Sequence, residues 1–128
     1  MRRATARGLA PLGGDARLAR AARRHAADMV ARGFFSHDAP GGVSFVDRLR
    51  RVGYASSCTS SGGETLAWGT GATTTPASRV AAWMRSPPHR QILLSPVYRE
   101  AGVGIAAGVP GGSARGFTYV AAFGRRRC

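Results

Sequence analysis

Residues 15–33 read DARLARAARRHAADMVARG, and this stretch predicts the first helix of the chain. Asp15 can cap the helix N-terminus, because its short carboxylate accepts hydrogen bonds from the first unpaired backbone amides. Gly33 can end the helix, since glycine readily adopts the left-handed conformation that terminates helices. Four residues fall on one face at helical spacing, namely Leu18, Ala22, His25 and Met29. The stretch therefore predicts a helix that packs this face against a core.

Two shorter segments downstream also carry helix signals. Residues 45–51 follow Ser44, and Asp47 completes a pattern like a capping box, with Asp in the place of Glu. Residues 75–86 begin with Thr-Pro, an N-cap residue followed by proline at the first helical position. We therefore expect three helices, followed by a short helical turn that includes His89.

The C-terminal part of the sequence changes from helical to strand periodicity. Residues 100–107 alternate with glycines, and residues 116–123 are rich in β-branched and aromatic residues. The glycine- and proline-containing linker 108–112 between them predicts a hairpin with a loose loop. Residues 60–75 are rich in Ser, Gly and Thr and predict a loop with at most one short strand. Helices first and strands last favour an α+β fold, in which helices pack on a small antiparallel sheet.

The length and the charge of the chain limit its class. Its 128 residues fit one domain, so we assign residues 1–128 to a single domain. All 19 basic residues are arginine and only six residues are acidic, which gives a net charge of +13. Such a charge favours anionic surfaces, but no recognition motif accompanies it, so we expect no specific nucleic-acid partner. No apolar run approaches the roughly 18 residues that a transmembrane helix needs.

The two cysteines, Cys58 and Cys128, match no metal motif and form no C-x-x-C redox pair. They are either two unrelated thiols or a disulfide that pins the C-terminus. We favour the disulfide, which implies an oxidising compartment, and we therefore expect a secreted protein. No apolar stretch of signal-peptide length follows Met1, so we expect an exported chain to be a mature or trimmed form.

Few residues can carry acid–base or metal chemistry, because the chain has three histidines and two glutamates. His25 lies on the apolar face of the first helix, where a core residue is expected. His37 lies in the loop past that helix, Glu64 in a stretch without other acids, and His89 behind two prolines. Each has an ordinary structural interpretation, and the spacing alone matches no metal signature such as H-E-x-x-H.

A series of short segments runs along nearly the whole chain: residues 8–12 (GLAPL), Asp15, 25–29 (HAADM), 33–37 (GFFSH), 47–48 (DR), 53–54 (GY), 63–67 (GETLA), 82–90 (AWMRSPPHR), 92–94 (ILL), 98–104 (YREAGVG) and 123–124 (FG). Their order and spacing resemble those of the compact bacterial CAP domains, also called SCP-like domains. No single segment is decisive, but together they are specific to that family.

The resemblance implies an α-β-α sandwich with a central antiparallel sheet, and a surface cleft lined by two histidines and two acidic residues. In this sequence His37 and His89 match the histidines, and Glu64 matches one acid. Ser86 stands in the cleft in place of the second acid, and Thr65 replaces an asparagine of the family pattern. Two imidazoles and one carboxylate are acceptable zinc ligands, so the resemblance implies a facultative site for zinc or another divalent metal.

Three functional hypotheses follow. We favour a secreted, monomeric binding module with this metal cleft, for a small or lipid-like ligand or a cell-wall ligand, as the resemblance implies. A zinc-dependent hydrolase is the alternative, but Glu64 would have to serve as both ligand and general base, and Ser86 cannot replace the missing carboxylate. The third hypothesis is an electrostatic binder of anionic cell-surface polymers, driven by the arginines. We therefore lean against catalysis.

Overall fold

The structure is a computed structural model that describes residues 13–54, 59–69, 98–111 and 116–127. Two helices and four strands lie within these ranges. In chain order they are β1 (Gly13–Gly14), α1 (Ala16–Arg32), α2 (Phe45–Arg51), β2 (Thr59–Gly69), β3 (Glu100–Ala107) and β4 (Phe117–Arg127). This combination of helices with one sheet confirms the α+β class.

Helix α1 has the boundaries and the buried face that its sequence predicts. The Asp15 carboxylate accepts hydrogen bonds from the amides of Arg17 and Leu18, both at 2.9 Å. Gly33 ends the helix with a φ of 69°, a left-handed conformation that glycine adopts without strain. The predicted apolar face is buried in full and comprises Leu18, Ala22, His25 and Met29.

Helix α2 begins with the reciprocal hydrogen bonds of a capping box. The Asp47 amide donates to Ser44 Oγ at 3.2 Å, and the Ser44 amide donates to the Asp47 carboxylate at 2.9 Å. The prediction of a helix over residues 45–51 is therefore confirmed. The helix places Leu49 in the core and brings Arg48 within hydrogen-bonding distance of β2.

The sheet has the strand order β1-β3-β4-β2. β3 and β4 form the antiparallel hairpin that the alternating C-terminal sequence predicts, with Val103 opposite Ala121. β1 adds two residues that pair in parallel with β3. The three long strands thus form the predicted antiparallel sheet. The short strand β1 pairs in parallel at its edge, so the whole sheet is mixed.

β2 is longer than its sequence suggests. The Ser-, Gly- and Thr-rich stretch predicts a loop with at most one short strand, but residues 59–69 form an eleven-residue strand. Every residue of β2 pairs with β4, from Thr59 opposite Arg127 to Gly69 opposite Phe117. The loop prediction is wrong here because strand propensity depends on context, and a long partner strand outweighs the weak propensity of glycine and serine.

Helix α1 lies directly on the backbone of β3. A Cβ atom added at Gly102 would lie 2.1 Å from the amide nitrogen of Ala19, and one added at Gly104 would lie 2.1 Å from that of Arg23. Glycine is needed at both positions because any side chain would hold the helix away from the sheet. The close approach completes a core that includes Leu18, Ala22, Ala26, Met29, Leu49, Val52, Tyr54, Leu66, Val120 and Ala122.

Several predicted features lie outside the described residues. These are the helix predicted for residues 75–86, the site candidates Ser86 and His89, and the cysteines Cys58 and Cys128. They stay predictions. The described part of the chain contains no helix long and apolar enough to span a membrane.

Candidate functional site

The loop after α1 and the middle of β2 bring two of the predicted site residues together. His37 Nδ1 lies 2.8 Å from Glu64 Oε1, although the residues are 27 positions apart in sequence. Glu64 lies opposite Ala122 of β4, which belongs to the core under α1, so the carboxylate is on the helix-covered face of the sheet. The structure therefore joins His37 to Glu64, whereas His89 and Ser86 lie outside the described residues.

Arg48 of α2 holds the same carboxylate, and the sequence analysis gave it no role. Its Nη2 donates to Glu64 Oε1 at 2.8 Å and to Oε2 at 2.7 Å. Its Nη1 donates to the backbone carbonyl of His37 at 2.7 Å. The sequence carried no local signal for this pairing, because the burial of Glu64, which requires a cationic or hydrogen-bonding partner, becomes apparent only in the fold. One guanidinium thus joins the loop, α2 and β2, and we call these three residues the His37–Glu64–Arg48 cluster.

The members of the cluster differ widely in exposure. The side chains of Glu64 and Arg48 are 3% and 8% exposed, whereas that of His37 is 60% exposed. The two buried charges compensate each other, as buried ions in proteins must. Because the carboxylate oxygen is the acceptor, Nδ1 of His37 is the donor, and Nε2 keeps a lone pair. The cluster therefore consists of one exposed imidazole that is hydrogen-bonded to a buried ion pair.

This arrangement fits a histidine that ligates a metal with a carboxylate behind it. An imidazole whose Nδ1–H is bound by a carboxylate is fixed in tautomer and ring orientation, and its Nε2 gains basicity. Both Glu64 oxygens are engaged by Arg48, so Glu64 fits the role of orienting His37 better than that of a direct ligand. Among the residues that the structure describes, no three His, Cys, Asp or Glu residues are grouped to hold a metal. His89, the other histidine that the family resemblance implies, lies outside the described residues.

His25 belongs to the core, as its position on the apolar face of α1 predicts. It is 1% exposed, and its Nε2–H donates to the Ser36 carbonyl oxygen at 2.8 Å. Burial lowers the pKa of His25, and the positive charge of Arg48 lowers it further. Its Nδ1 is buried and has no hydrogen-bond partner among the described residues. This buried imidazole serves packing, and it also forms part of the wall of a cavity.

A cavity of about 550 Å³ opens between α1, α2 and the loop of residues 39–43. Its apolar lining consists of Ala21, Ala27, Ala31, Ala39, Val43 and Val52, and its basic lining of Arg24, Arg32, Arg48, Arg51 and the imidazole of His25. Asp28 is the only acid among the described lining residues, and it forms an ion pair with Arg32. The cavity therefore combines an apolar lining with positive charge. Sequence reasoning did not find it, because its walls come from three separate segments.

A comparison with protein families supplies the context of these observations. The CAP model, described as the cysteine-rich secretory protein family, matches residues 1–123. The chain belongs to the CAP family. The resemblance carried by the short segments of the sequence is therefore confirmed.

Bacterial proteins are among those similar to this CAP chain. It is 35% identical over 97 residues to the uncharacterized protein YkwD of Bacillus subtilis (strain 168), which covers 76% of this chain and 35% of that protein. An extracellular protein containing an SCP domain, from Bacillus anthracis str. Ames, is 27% identical with a TM-score of 0.73, over 93% of this chain and 35% of that one. The CAP chain thus spans about a third of the length of both Bacillus proteins.

The fold of this CAP chain also occurs in a protein of nearly its own size. An outer surface protein from Borrelia burgdorferi has a TM-score of 0.81 over 98% of this chain and 86% of that one. Its sequence identity is 20%, so the likeness concerns the fold alone.

Proposed function

We propose that this CAP domain is an extracellular binding module whose cleft holds a divalent metal, with His37 and His89 as ligands. The observation that carries the proposal is the hydrogen bond of 2.8 Å between His37 Nδ1 and Glu64 Oε1, because it leaves Nε2 as the ligating atom. The extracellular location is supported by the Bacillus anthracis relative, which is an extracellular protein with an SCP domain.

Each residue of the cluster has a defined part in this binding. Arg48 fixes the Glu64 carboxylate, and Glu64 fixes the ring of His37. A zinc ion held by His37 and His89 would supply positive charge for an oxygen atom of the ligand. Ser86, which replaces the second acid of the family pattern, adds no negative charge. We therefore expect the metal to be held weakly and to exchange readily.

Zinc titration by calorimetry at neutral pH tests the proposal. His37→Ala and His89→Ala should each weaken zinc binding by at least about tenfold. Even the loss of a residue that only hydrogen-bonds to a metal ligand weakens metal binding by about that factor. His25→Ala is the matched histidine control, which should lower thermal stability and leave the zinc affinity unchanged. Acidification should release the metal, because protons compete with it for the ligating nitrogens. Unchanged zinc affinity in His37→Ala would refute the proposal.

The same cluster favours binding over zinc-dependent hydrolysis. A hydrolase needs a general base that is free to take a proton from water. Both Glu64 oxygens accept hydrogen bonds from Arg48, and Oε1 also accepts one from His37. The carboxylate is thus engaged in holding the cluster together. With zinc present, hydrolysis of a chromogenic ester should be no faster for the wild type than for His37→Ala.

A lipid-like ligand is the second candidate function, and the cavity between α1 and α2 favours it. Its volume of about 550 Å³ lies within the range of small-molecule sites, about 300–1,000 Å³. Alanine and valine side chains suit an acyl chain, and Arg24 and Arg51 suit a carboxylate or phosphate headgroup.

Displacement of a fluorescent fatty acid tests this second candidate. Ala31→Trp places a large side chain in the cavity from α1. It should weaken fatty-acid binding by about tenfold, because steric overpacking would oppose binding by about 1–2 kcal/mol. Ala16→Trp is the matched control, because Ala16 is likewise an exposed alanine of the same helix but lies outside the cavity. Equal affinities of the two variants would assign the fatty acid to another surface.

A further inference from the structure

The paired ends of β2 and β4 carry three consecutive arginines, residues 125–127, beside Ser60 and Ser61. Successive side chains of a strand point to opposite faces of the sheet. Arg126 therefore lies on one face, and Arg125 and Arg127 lie on the other. The alternation gives the middle arginine and its two neighbours different surroundings.

Arg126 is engaged by acidic residues on its own face. Its Nε and Nη2 donate to the Glu100 carboxylate at 2.9 and 2.7 Å, and Tyr54 donates to the same carboxylate at 2.8 Å. Its Nη2 also lies 3.6 Å from Asp15 Oδ2 at the N-cap of α1. Arg126 thus serves the structure, where it joins β3, β4 and the start of α1.

Arg125 and Arg127 line a cavity of about 260 Å³ together with Ser60 and Ser61. The register places Ser61 directly opposite Arg125, on the same face of the sheet, whereas Ser60 lies opposite Arg126. The described residues that line this cavity are thus two arginines and two serines. We call it the Arg125–Arg127 cavity.

We propose that the Arg125–Arg127 cavity is a binding site for a phosphate group. Guanidinium groups present planar sets of N–H donors that match phosphate oxygens, and the Ser61 hydroxyl adds a further donor. Hydrogen bonds between ionised partners are about twice as strong as neutral ones. The net charge of +13 attracts polyanions to the whole chain, and the cavity gives one of their phosphates a defined place. No residue of the His37–Glu64–Arg48 cluster lines it, so the site is independent of the metal cleft.

Titration of the isotope-labelled wild-type chain with inorganic phosphate, followed by NMR, tests the site directly. The backbone amide signals of residues 60, 61, 125 and 127 should shift along one saturating curve, while those of residues 16–32 in α1 should not. Ionic strength is held at about 0.1 M, where the Debye length is about 10 Å and diffuse charge effects are largely screened.

Paired variants distinguish a specific phosphate site from a general effect of the net charge. Arg125→Gln/Arg127→Gln should weaken phosphate binding by about tenfold or more, because it removes both charged donors. Arg20→Gln/Arg23→Gln is the matched control, since it removes the same charge from exposed positions of α1. We expect the control to change the affinity by less than about twofold at this ionic strength. Ser61→Ala keeps every charge and should weaken binding by about threefold to tenfold through a lost hydrogen bond.

Equal losses of affinity in the arginine variant and its control would show that phosphate binding depends on net charge alone, and would overturn the proposal. Amide shifts that exclude residues 60, 61, 125 and 127 would also overturn it, without the use of any variant. A parallel titration with diethyl phosphate separates the sources of the phosphate group. Binding of both compounds supports a site for phosphodiester polymers, and binding of inorganic phosphate alone supports a site for phosphate monoesters. Binding of neither at millimolar concentration would overturn the proposal.

Discussion

Arg48 and Glu64 form a buried ion pair in which a single guanidinium nitrogen, Nη2, lies 2.8 and 2.7 Å from the two carboxylate oxygens. The residues are 16 positions apart and connect α2 to β2. Removal of two charges from water is costly, so each charge in such a pair depends on the other. The exposed ring of His37 rests on this pair through Glu64 Oε1.

The first prediction concerns the loss of one partner from this pair. Arg48→Leu leaves the Glu64 carboxylate buried and uncompensated, so the free energy of unfolding should fall by about 3–5 kcal/mol. Arg48→Leu/Glu64→Leu should recover much of this loss, because neither charge is then buried alone. Urea unfolding measures both. Arg50→Leu, on the exposed side of the same helix, should change stability little, and a loss as large as that of Arg48→Leu would contradict the prediction.

The second prediction concerns pH. Burial, with the charge of Arg48, lowers the pKa of His25 below its ordinary value of 6.5. The unfolded chain therefore binds this proton at higher pH than the folded protein does, so stability is complete above about 6.5 and declines as pH falls toward the folded pKa. The free energy of unfolding, measured in urea between about pH 8 and pH 5, should show this decline.

His25→Gln provides the control for the pH prediction, because glutamine does not titrate. The variant should be less stable overall, but its stability should change less between about pH 7 and pH 5 than that of the wild type. The paired carboxylates Asp28 and Glu100, whose pKa values are lowered from 3.8 and 4.5, lose their contribution only at lower pH. An unchanged pH dependence in His25→Gln would assign the decline to other groups.

The third prediction concerns the close contact between α1 and β3. Gly104→Ala places a methyl group 2.1 Å from the backbone nitrogen of Arg23, which only a shift of the helix can relieve. We expect a loss of about 2–3 kcal/mol in the free energy of unfolding. Gly14→Ala is the matched control, because an added Cβ there meets no atom within 4 Å. Thermal melting should show a clearly lower midpoint for Gly104→Ala only, and similar midpoints would contradict the packing described here.

The fourth prediction concerns the cysteines. Cys58 and Cys128 lie outside the described residues, and the sequence favours a disulfide between them. The bond would close a loop of about 70 residues and stabilise the fold by about 4 kcal/mol on the chain-entropy model.

Mass spectrometry after alkylation of the denatured protein tests the disulfide. Protein prepared under oxidising conditions should take up no alkyl group without reductant and two with it. Cys58→Ser/Cys128→Ser provides the stability comparison and should melt at a lower temperature. Alkylation of both thiols without reductant would show that the cysteines are unpaired.

Short-range signals were sufficient to predict α1, α2 and the β3–β4 hairpin. The Asp15 cap, the Gly33 stop and the capping box of Ser44 and Asp47 each act within one helical turn. The strand pattern of the hairpin is equally local. β2 could not be predicted in this way, because an unfavourable Ser- and Gly-rich sequence becomes a strand only when β4 supplies its hydrogen bonds.

The site residues likewise depend partly on the local sequence and partly on the tertiary structure. The sequence by itself determined which residue types were available, with three histidines and two glutamates, and through the family resemblance it singled out His37 and Glu64. Only the tertiary structure decided that Arg48 holds Glu64, that Arg126 pairs with Glu100, and that Arg125 and Arg127 line a cavity. The physical reason is that charge pairing depends on distance and burial in three dimensions, which strand register and helix packing set between residues far apart in the chain.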